Sequence, residues 1–272
     1  MILCWASSRV MLIARRQSKA GELSPVFRSP TVTVEEHLAT AQFVADLIDQ
    51  TLLKPEATAE DIIRLCQEAD EYGFCSVCIN PHWVRLARTI LGDSNVRVCT
   101  VIGFPLGANR TAVKIAEARL ALAEGAAEID MVQNIGALRS ADFEAVQREI
   151  EELVEIAHAT GALLKVILET CLLTNEQKRN VCRLALDAKA DFVKTSTGFS
   201  ISGATEDDVR LMRETVGSAL GVKASGGIRS LESLRRMVAA GATRIGTSSG
   251  VQILREFHEG SSAVSPNKSE GY

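Results

Sequence analysis

Histidine is scarce in this chain: His37, His82, His158 and His258 are the only four among 272 residues, and each falls on or beside a stretch of helical periodicity. A metal-dependent centre, which usually gathers imidazoles in one place, has little to build on, and no metal is expected. Aromatic residues make up 4% of the chain, and no Arg/Lys stripe is interleaved with them. The net charge of −4 is too small, and of the wrong sign, for a protein whose main partner is nucleic acid or an anionic membrane. No apolar run is long enough to span a bilayer.

The seven cysteines lack the regular spacing of a disulfide framework, which argues for a reducing compartment and a cytoplasmic location. Cys75 and Cys78 form a C-x-x-C without a second pair nearby. On a strand their side chains would face opposite ways, so core cysteines are the simpler reading. The first thirty residues stand apart, because Arg9, Arg15, Arg16 and Lys19 occur before the first acid, Glu22. That is the composition of a transit peptide, or of a disordered leader over residues 1–33. At the other end, the Ser/Gly/Pro-rich residues 259–272 read as a flexible tail.

What remains, residues 34–258, alternates short β-branched runs with longer helical stretches. Apolar runs lie near 47–51, 75–79, 96–102, 127–133, 163–169, 191–195, 221–225 and 243–247. Thr58-x-x-Asp61, Thr174-x-x-Gln177 and Thr205-x-x-Asp208 resemble capping boxes, in which side chains satisfy the free N–H groups of a helix start. The segment TVEEHLATAQFVADL adds one helix ahead of the first strand. The pattern predicts an α/β (β/α)8 TIM barrel with an extra N-terminal helix, with a doubly wound open sheet as the alternative.

Strands of such a barrel are covered on both faces and should be almost continuously apolar. Several here are not. Alternation places Asp49 and Thr51 on one side of the first strand, Glu128 and Asp130 on one side of the fourth, and Lys165 with Glu169 in the fifth. Lys194 in the sixth and Lys223 in the seventh have apolar neighbours facing the other way. If the barrel closes, these charges converge on its interior, where each unpaired one would cost on the order of several kcal/mol. Either they form an ion-pair network that holds the barrel shut, or they do chemistry.

The chemistry that fits is imine formation. A lysine amine attacks a carbonyl only when unprotonated, and with an ordinary pKa of about 10.4 very few are neutral at pH 7. A second ammonium close by, together with desolvation, disfavours the charged form of such an amine. Lys194 and Lys223, expected on adjacent strands, make that pair, and Asp130 is placed to relay protons. Glycine clusters follow the last three strands, at 196–198, 225–229 and 246–250. Their backbone N–H groups can close on an anion, and the loops after strands seven and eight are the usual phosphate site of this barrel. Gly226, Gly227 and Ser248 are the main candidates, then Ser249 and Gly198; Arg229 could add charge.

Together DQTLLKPEAT, VCINPHWV, VCTVIGFPLGANRT, EIDMVQNIGAL, KVILET, DFVKTSTGFSISGAT, GVKASGGIR and RIGTSSG resemble the 2-deoxyribose-5-phosphate aldolase family over about residues 40 to 255. The resemblance implies a class I aldolase, free of cofactors, that reversibly cleaves 2-deoxy-D-ribose 5-phosphate into acetaldehyde and D-glyceraldehyde 3-phosphate. It matches Lys194 to the Schiff-base lysine, Lys223 to the lysine that perturbs it and Asp130 to the proton relay. Gly226, Gly227, Ser248 and Ser249 match phosphate positions, and a homodimer follows by analogy. The terminal Tyr272 resembles a tyrosine that reaches the active site from a mobile tail. Two positions depart from the pattern. Gln50 stands where many members have histidine, and by parity it faces outward. Phe199 stands where some members have a phosphate-contacting lysine after the STG turn. Two other readings stay open: a non-catalytic sugar-phosphate sensor, and a Schiff-base aldolase of a related substrate.

Overall fold

The structure, a computed structural model, describes residues 38 and 40–262. The expected leader, His37, residues 263–272 of the tail and Tyr272 lie outside the described residues. Eight strands follow one another: β1 Ile48–Leu52, β2 Ser76–Ile79, β3 Arg97–Ile102, β4 Glu128–Val132, β5 Leu163–Ile167, β6 Phe192–Lys194, β7 Gly221–Ser225 and β8 Arg244–Thr247. All pair in parallel and close in sequence order, with β8 returning to β1. The barrel reading is the correct one, and the open sheet is excluded.

The helices are α1 Ala41–Asp46, α2 Ala59–Tyr72, α3 Val84–Leu91, α4 Thr111–Ala123, α5 Ile135–Arg139, α6 Phe143–Ala159, α7 Asn175–Asp187, α8 Glu206–Val216, α9 Leu231–Ala239 and α10 Gly250–Ser262. The described part of the extra helix is α1, capped by Thr40 and packed against α10. The last helix runs to Ser262, past the boundary at 258 that composition suggested.

Local chemistry accounts for the helix starts. Thr58 and Thr174 form reciprocal capping boxes with Asp61 and Gln177. At Thr205 only half of the motif forms: its hydroxyl accepts the Asp208 N–H, but the Asp208 carboxylate turns to Lys178 at 2.5 Å. That buried pair ties α8 to α7 instead. Outward strand residues such as Ile129, Met131, Val193, Val222 and Ala224 are buried against the helices, forming one core between barrel and helical ring. Among the described residues no helix is long and apolar enough to cross a membrane.

The helical layer also buries thiols. Burial pushes Cys66 on α2 up to about 11 and Cys182 on α7 up to about 12. An unfolded thiol ionises near pH 8.5, roughly. Because the folded values are raised, the contribution to stability is complete below about pH 8.5 and is lost as pH rises through the folded values. Urea midpoints should therefore fall as pH climbs from about 8 to about 11. Cys182→Ala, whatever it costs near neutrality, should fall less steeply over that window; equal slopes in the two proteins would contradict the linkage.

Candidate active site

The barrel interior holds a ladder of charges, rising from the strand starts to the strand ends. At its base Arg244, opening β8, donates to Asp49 at 2.8 Å through Nε and to Glu128 at 2.9 Å through Nη2. The half-exposed Arg97 adds a contact to Glu128 at 3.1 Å. One layer up, Lys165 of β5 bridges Glu128 at 2.5 Å and Asp130 at 2.7 Å. Lys223 of β7 bridges Asp49 and Asp130, both at 2.6 Å. At the top Lys194, the last residue of β6, reaches Asp130 at 2.8 Å.

Strand parity positions all of these, because neighbouring parallel strands in register send facing residues to the same side. Lys194 and Lys223 are direct partners across β6 and β7, and Asp130 and Lys165 across β4 and β5. Both lysines therefore meet the same carboxylate oxygen, Asp130 Oδ2. Asp130 Oδ1 is held by Lys165 at 2.7 Å, and the Cys99 thiol lies 3.2 Å from it. One carboxylate thus receives three ammonium groups.

Burial alone would push Asp130 up, but the Lys165, Lys194 and Lys223 ammoniums outweigh it and hold its carboxyl well below the usual range. Burial alone would likewise pull Lys223 down, yet Asp130 and then Asp49 keep its ammonium well above the ordinary lysine value. Lys165 is raised by the same balance of burial against Asp130 and Glu128. Counting the ladder gives four buried cations, Lys165, Lys194, Lys223 and Arg244, against three buried carboxylates, Asp49, Glu128 and Asp130. The set carries one positive charge too many for its carboxylates. Lys194 is the cation in it with a single carboxylate partner, whereas the other three each have two.

Around this ladder the glycine loops pack together at the C-terminal ends of the strands. Ser225 Oγ donates to the Ser196 carbonyl at 2.7 Å, and Thr247 Oγ1 to the Ile228 carbonyl at 2.7 Å. Gly198, Gly226 and Gly227 have φ of 84°, 91° and 83°, the left-handed conformation that turns successive N–H groups to one side. A side chain at Gly203 would run into the Gly226 carbonyl at 2.2 Å, so both loops need glycine where they cross. Ser248 is exposed and Ser249 half-buried, immediately before the first turn of α10. Gln50 faces outward, as its parity required. It donates to Glu68 on α2 and accepts the Gly250 N–H at 3.1 Å, fastening the start of α10.

Other positions refine the sequence reading. Thr51, at the end of β1, donates to the Asp49 carbonyl at 2.8 Å. Glu169 does not continue β5: it lies two residues past the strand with φ of 59°, and its buried carboxylate takes the Thr197 N–H at 3.3 Å and the Thr197 hydroxyl. It steadies the turn after Lys194 rather than joining the charge ladder. Beside it a cleft of about 90 Å³ is walled by Leu106, Thr197 and Phe199. Phe199 is half exposed and meets Phe104 edge-on at 5.3 Å, so an apolar ring, not an amine, stands at this rim.

Glu128 and Arg244 were not singled out as site residues from the sequence, although β4 parity already placed Glu128 inside. For Arg244 the signal was its spacing of two from Gly246, which registers with Ser225 just as Arg244 registers with Lys223. The described histidines stay off the strand ends: His82 stacks edge-on against Trp83, His158 bonds Asp191 at 2.9 Å, and His258 lies on α10.

The chain has close relatives among known proteins. Residues 43–260 match the model of the DeoC/LacD family aldolases. A deoxyribose-phosphate aldolase from Thermococcus gammatolerans is 59% identical over 213 residues, covering 78% of this chain and 95% of that protein. One from Lysinibacillus sphaericus is 58% identical with the same coverage. Among solved structures, that of the deoxyribose phosphate aldolase from Aeropyrum pernix, described as a unique tetramer, superposes with a TM-score of 0.77 at 39% identity, covering 82% of this chain and 94% of that one. Fold and sequence similarity agree, and the chain belongs to the DeoC/LacD aldolase family.

Proposed function

We propose that the protein reversibly cleaves 2-deoxy-D-ribose 5-phosphate to acetaldehyde and D-glyceraldehyde 3-phosphate through a Schiff base on Lys194. The observation that carries this reading is the meeting of the Lys194 and Lys223 amines on Asp130 Oδ2, at 2.8 and 2.6 Å. Release of one proton from Lys194 relieves the excess positive charge of the ladder and leaves a nucleophile beside an ammonium that stays charged. Its nitrogen adds to the C1 aldehyde, and loss of water gives the iminium. As the C3 hydroxyl gives up its proton, the C2–C3 bond breaks and its electron pair runs into the iminium, forming an enamine. Protonation at C2 and hydrolysis then free acetaldehyde.

Asp130, bonded to both amines, shuttles protons, directly or through water, as the carbinolamine and the enamine form. Lys165, Asp49 and Glu169 act by position: Lys165 holds Oδ1 of Asp130, Asp49 holds Lys223, and Glu169 holds the turn that follows Lys194. Thr51 steadies the end of β1. The loops at Gly198, Gly226, Gly227, Ser248 and Ser249 receive the phosphate through backbone N–H groups, which matters more here because Phe199 offers no charge. A cytoplasmic setting is proposed from the cysteine pattern, and a homodimer from family analogy.

Borohydride added with deoxyribose phosphate or acetaldehyde, followed by peptide mass mapping, tests the proposal. Reduction should fix the two-carbon adduct on Lys194. Reversible binding without labelling would favour the sensor reading. Labelling only with a different carbonyl compound would favour another aldol substrate.

A further inference from the structure

Among the described residues, Cys78 and Cys99 form a cluster of reactive side chains in the barrel that the proposed chemistry leaves unused. They are direct partners across β2 and β3, so both side chains leave the sheet on the same side. Their sulfurs and a carboxylate oxygen of Asp130 all lie within 4.8 Å of one another, and all three residues are buried. Neighbouring parallel strands bring paired Cα atoms to about 4.8 Å, inside the range a disulfide accepts. Leu53 and Val101 flank the two cysteines in a small apolar cluster separate from the main core. The C-x-x-C of the sequence is thus not the relevant pair, because the spatial neighbour of Cys78 comes from the next strand.

Two ligand chemistries could use two thiols and a carboxylate. A soft metal cation is disfavoured, since Lys165, Lys194 and Lys223 surround Asp130 and the ladder already holds excess positive charge. The same field favours a sulfur anion. The adjacent Cys99 sulfur and then Lys223, working against burial, bring Cys78 down to about 7. A thiolate beside a thiol is the arrangement that oxidises to a disulfide.

We infer that Cys78 and Cys99 form an oxidation site, joined as a disulfide by a small peroxide that enters along the substrate's route, and that the bond reversibly stops the enzyme. The Cys78 thiolate attacks the peroxide O–O bond, giving a sulfenic acid and releasing hydroxide. The Cys99 sulfur then displaces water from that sulfenic acid. Two thiols and one hydrogen peroxide become one disulfide and two waters, the two electrons passing from sulfur to oxygen. Closing the bond draws Cys99 from Asp130 Oδ1, where its thiol lies at 3.2 Å, and from Lys165 Nζ, which reaches its sulfur at 3.4 Å. Asp130 then loses part of what aims its other oxygen at Lys194 and Lys223.

The bond can be read without reference to activity; its effect on turnover rests on the aldolase reading. Purified full-length protein is treated with hydrogen peroxide and mapped without reduction. A linked Cys78–Cys99 peptide is expected, its yield tracking a loss of about 10²-fold in the rate of the linked molecules. Dithiothreitol should restore both together. Cys99→Ser, compared with its own untreated rate, should give no linked peptide and trap dimedone at Cys78 instead. The inference is overturned if no such peptide forms, if the linked protein keeps its full untreated rate, or if the loss follows oxidation of the half-buried Cys171 and vanishes in Cys171→Ser. Because the linked peptide is sought in the unaltered chain, the result stands even if Cys99→Ser folds poorly.

Discussion

Lys194→Ala is expected to reduce cleavage of deoxyribose phosphate to the background level, a loss of about 10⁴-fold or more, and to abolish borohydride trapping. No neighbour can take over its part. All three lysines are buried, but Lys223 and Lys165 each lie between two carboxylates, whereas Lys194, the last residue of β6, touches one. The variant should also fold, because Asp130 keeps Lys165 at 2.7 Å and Lys223 at 2.6 Å when Lys194 is gone. Removing one cation from a ladder with four cations and three carboxylates leaves it balanced. Thermal melting near that of the parent, with no trapped adduct, is the expected pair of results. Sustained turnover with the adduct on Lys223 would mean that the two lysines have been given each other's roles.

Parity explains how much of this was legible beforehand. In a parallel barrel the strand period of two is enough to sort interior from exterior, so Asp49, Asp130, Lys165, Lys194 and Lys223 could be placed before any coordinates. The closure itself came from the alternation of short runs with capped helices, and two of the three expected boxes formed as read. Depth along the strands was harder to read. Glu169 followed the parity of β5 on paper, but the strand ends at Ile167 and a left-handed backbone turns Glu169 to Thr197. Arg244 went unnoticed because its partners, Asp49 and Glu128, come from strands far away in sequence. The same holds for Cys78 and Cys99, and for Lys114 with Glu149, a buried pair at 2.7 Å that links α4 to α6. Register between strands, which no single run reveals, decides all of these.

The charge count also bears on the second lysine. Lys223→Leu should lower the rate near neutrality by about 10²- to 10⁴-fold while leaving the Schiff-base lysine in place. With Lys223 gone, three cations face three carboxylates, so the ladder no longer gains by releasing a proton. Asp130 Oδ2 is left to Lys194 alone, which binds that ammonium more firmly. The rate of the variant should accordingly climb as the pH is raised, because bulk base removes the proton that a neighbouring ammonium formerly displaced. Lys223→Arg restores the charge but not the compact donor that bridges Asp49 and Asp130, so it should recover only part of the loss. A merely structural role for Lys223 would lower the rate by the same factor at every pH. Such a flat profile, in a variant whose melting temperature is unchanged, would remove the electrostatic account of how Lys194 becomes a nucleophile.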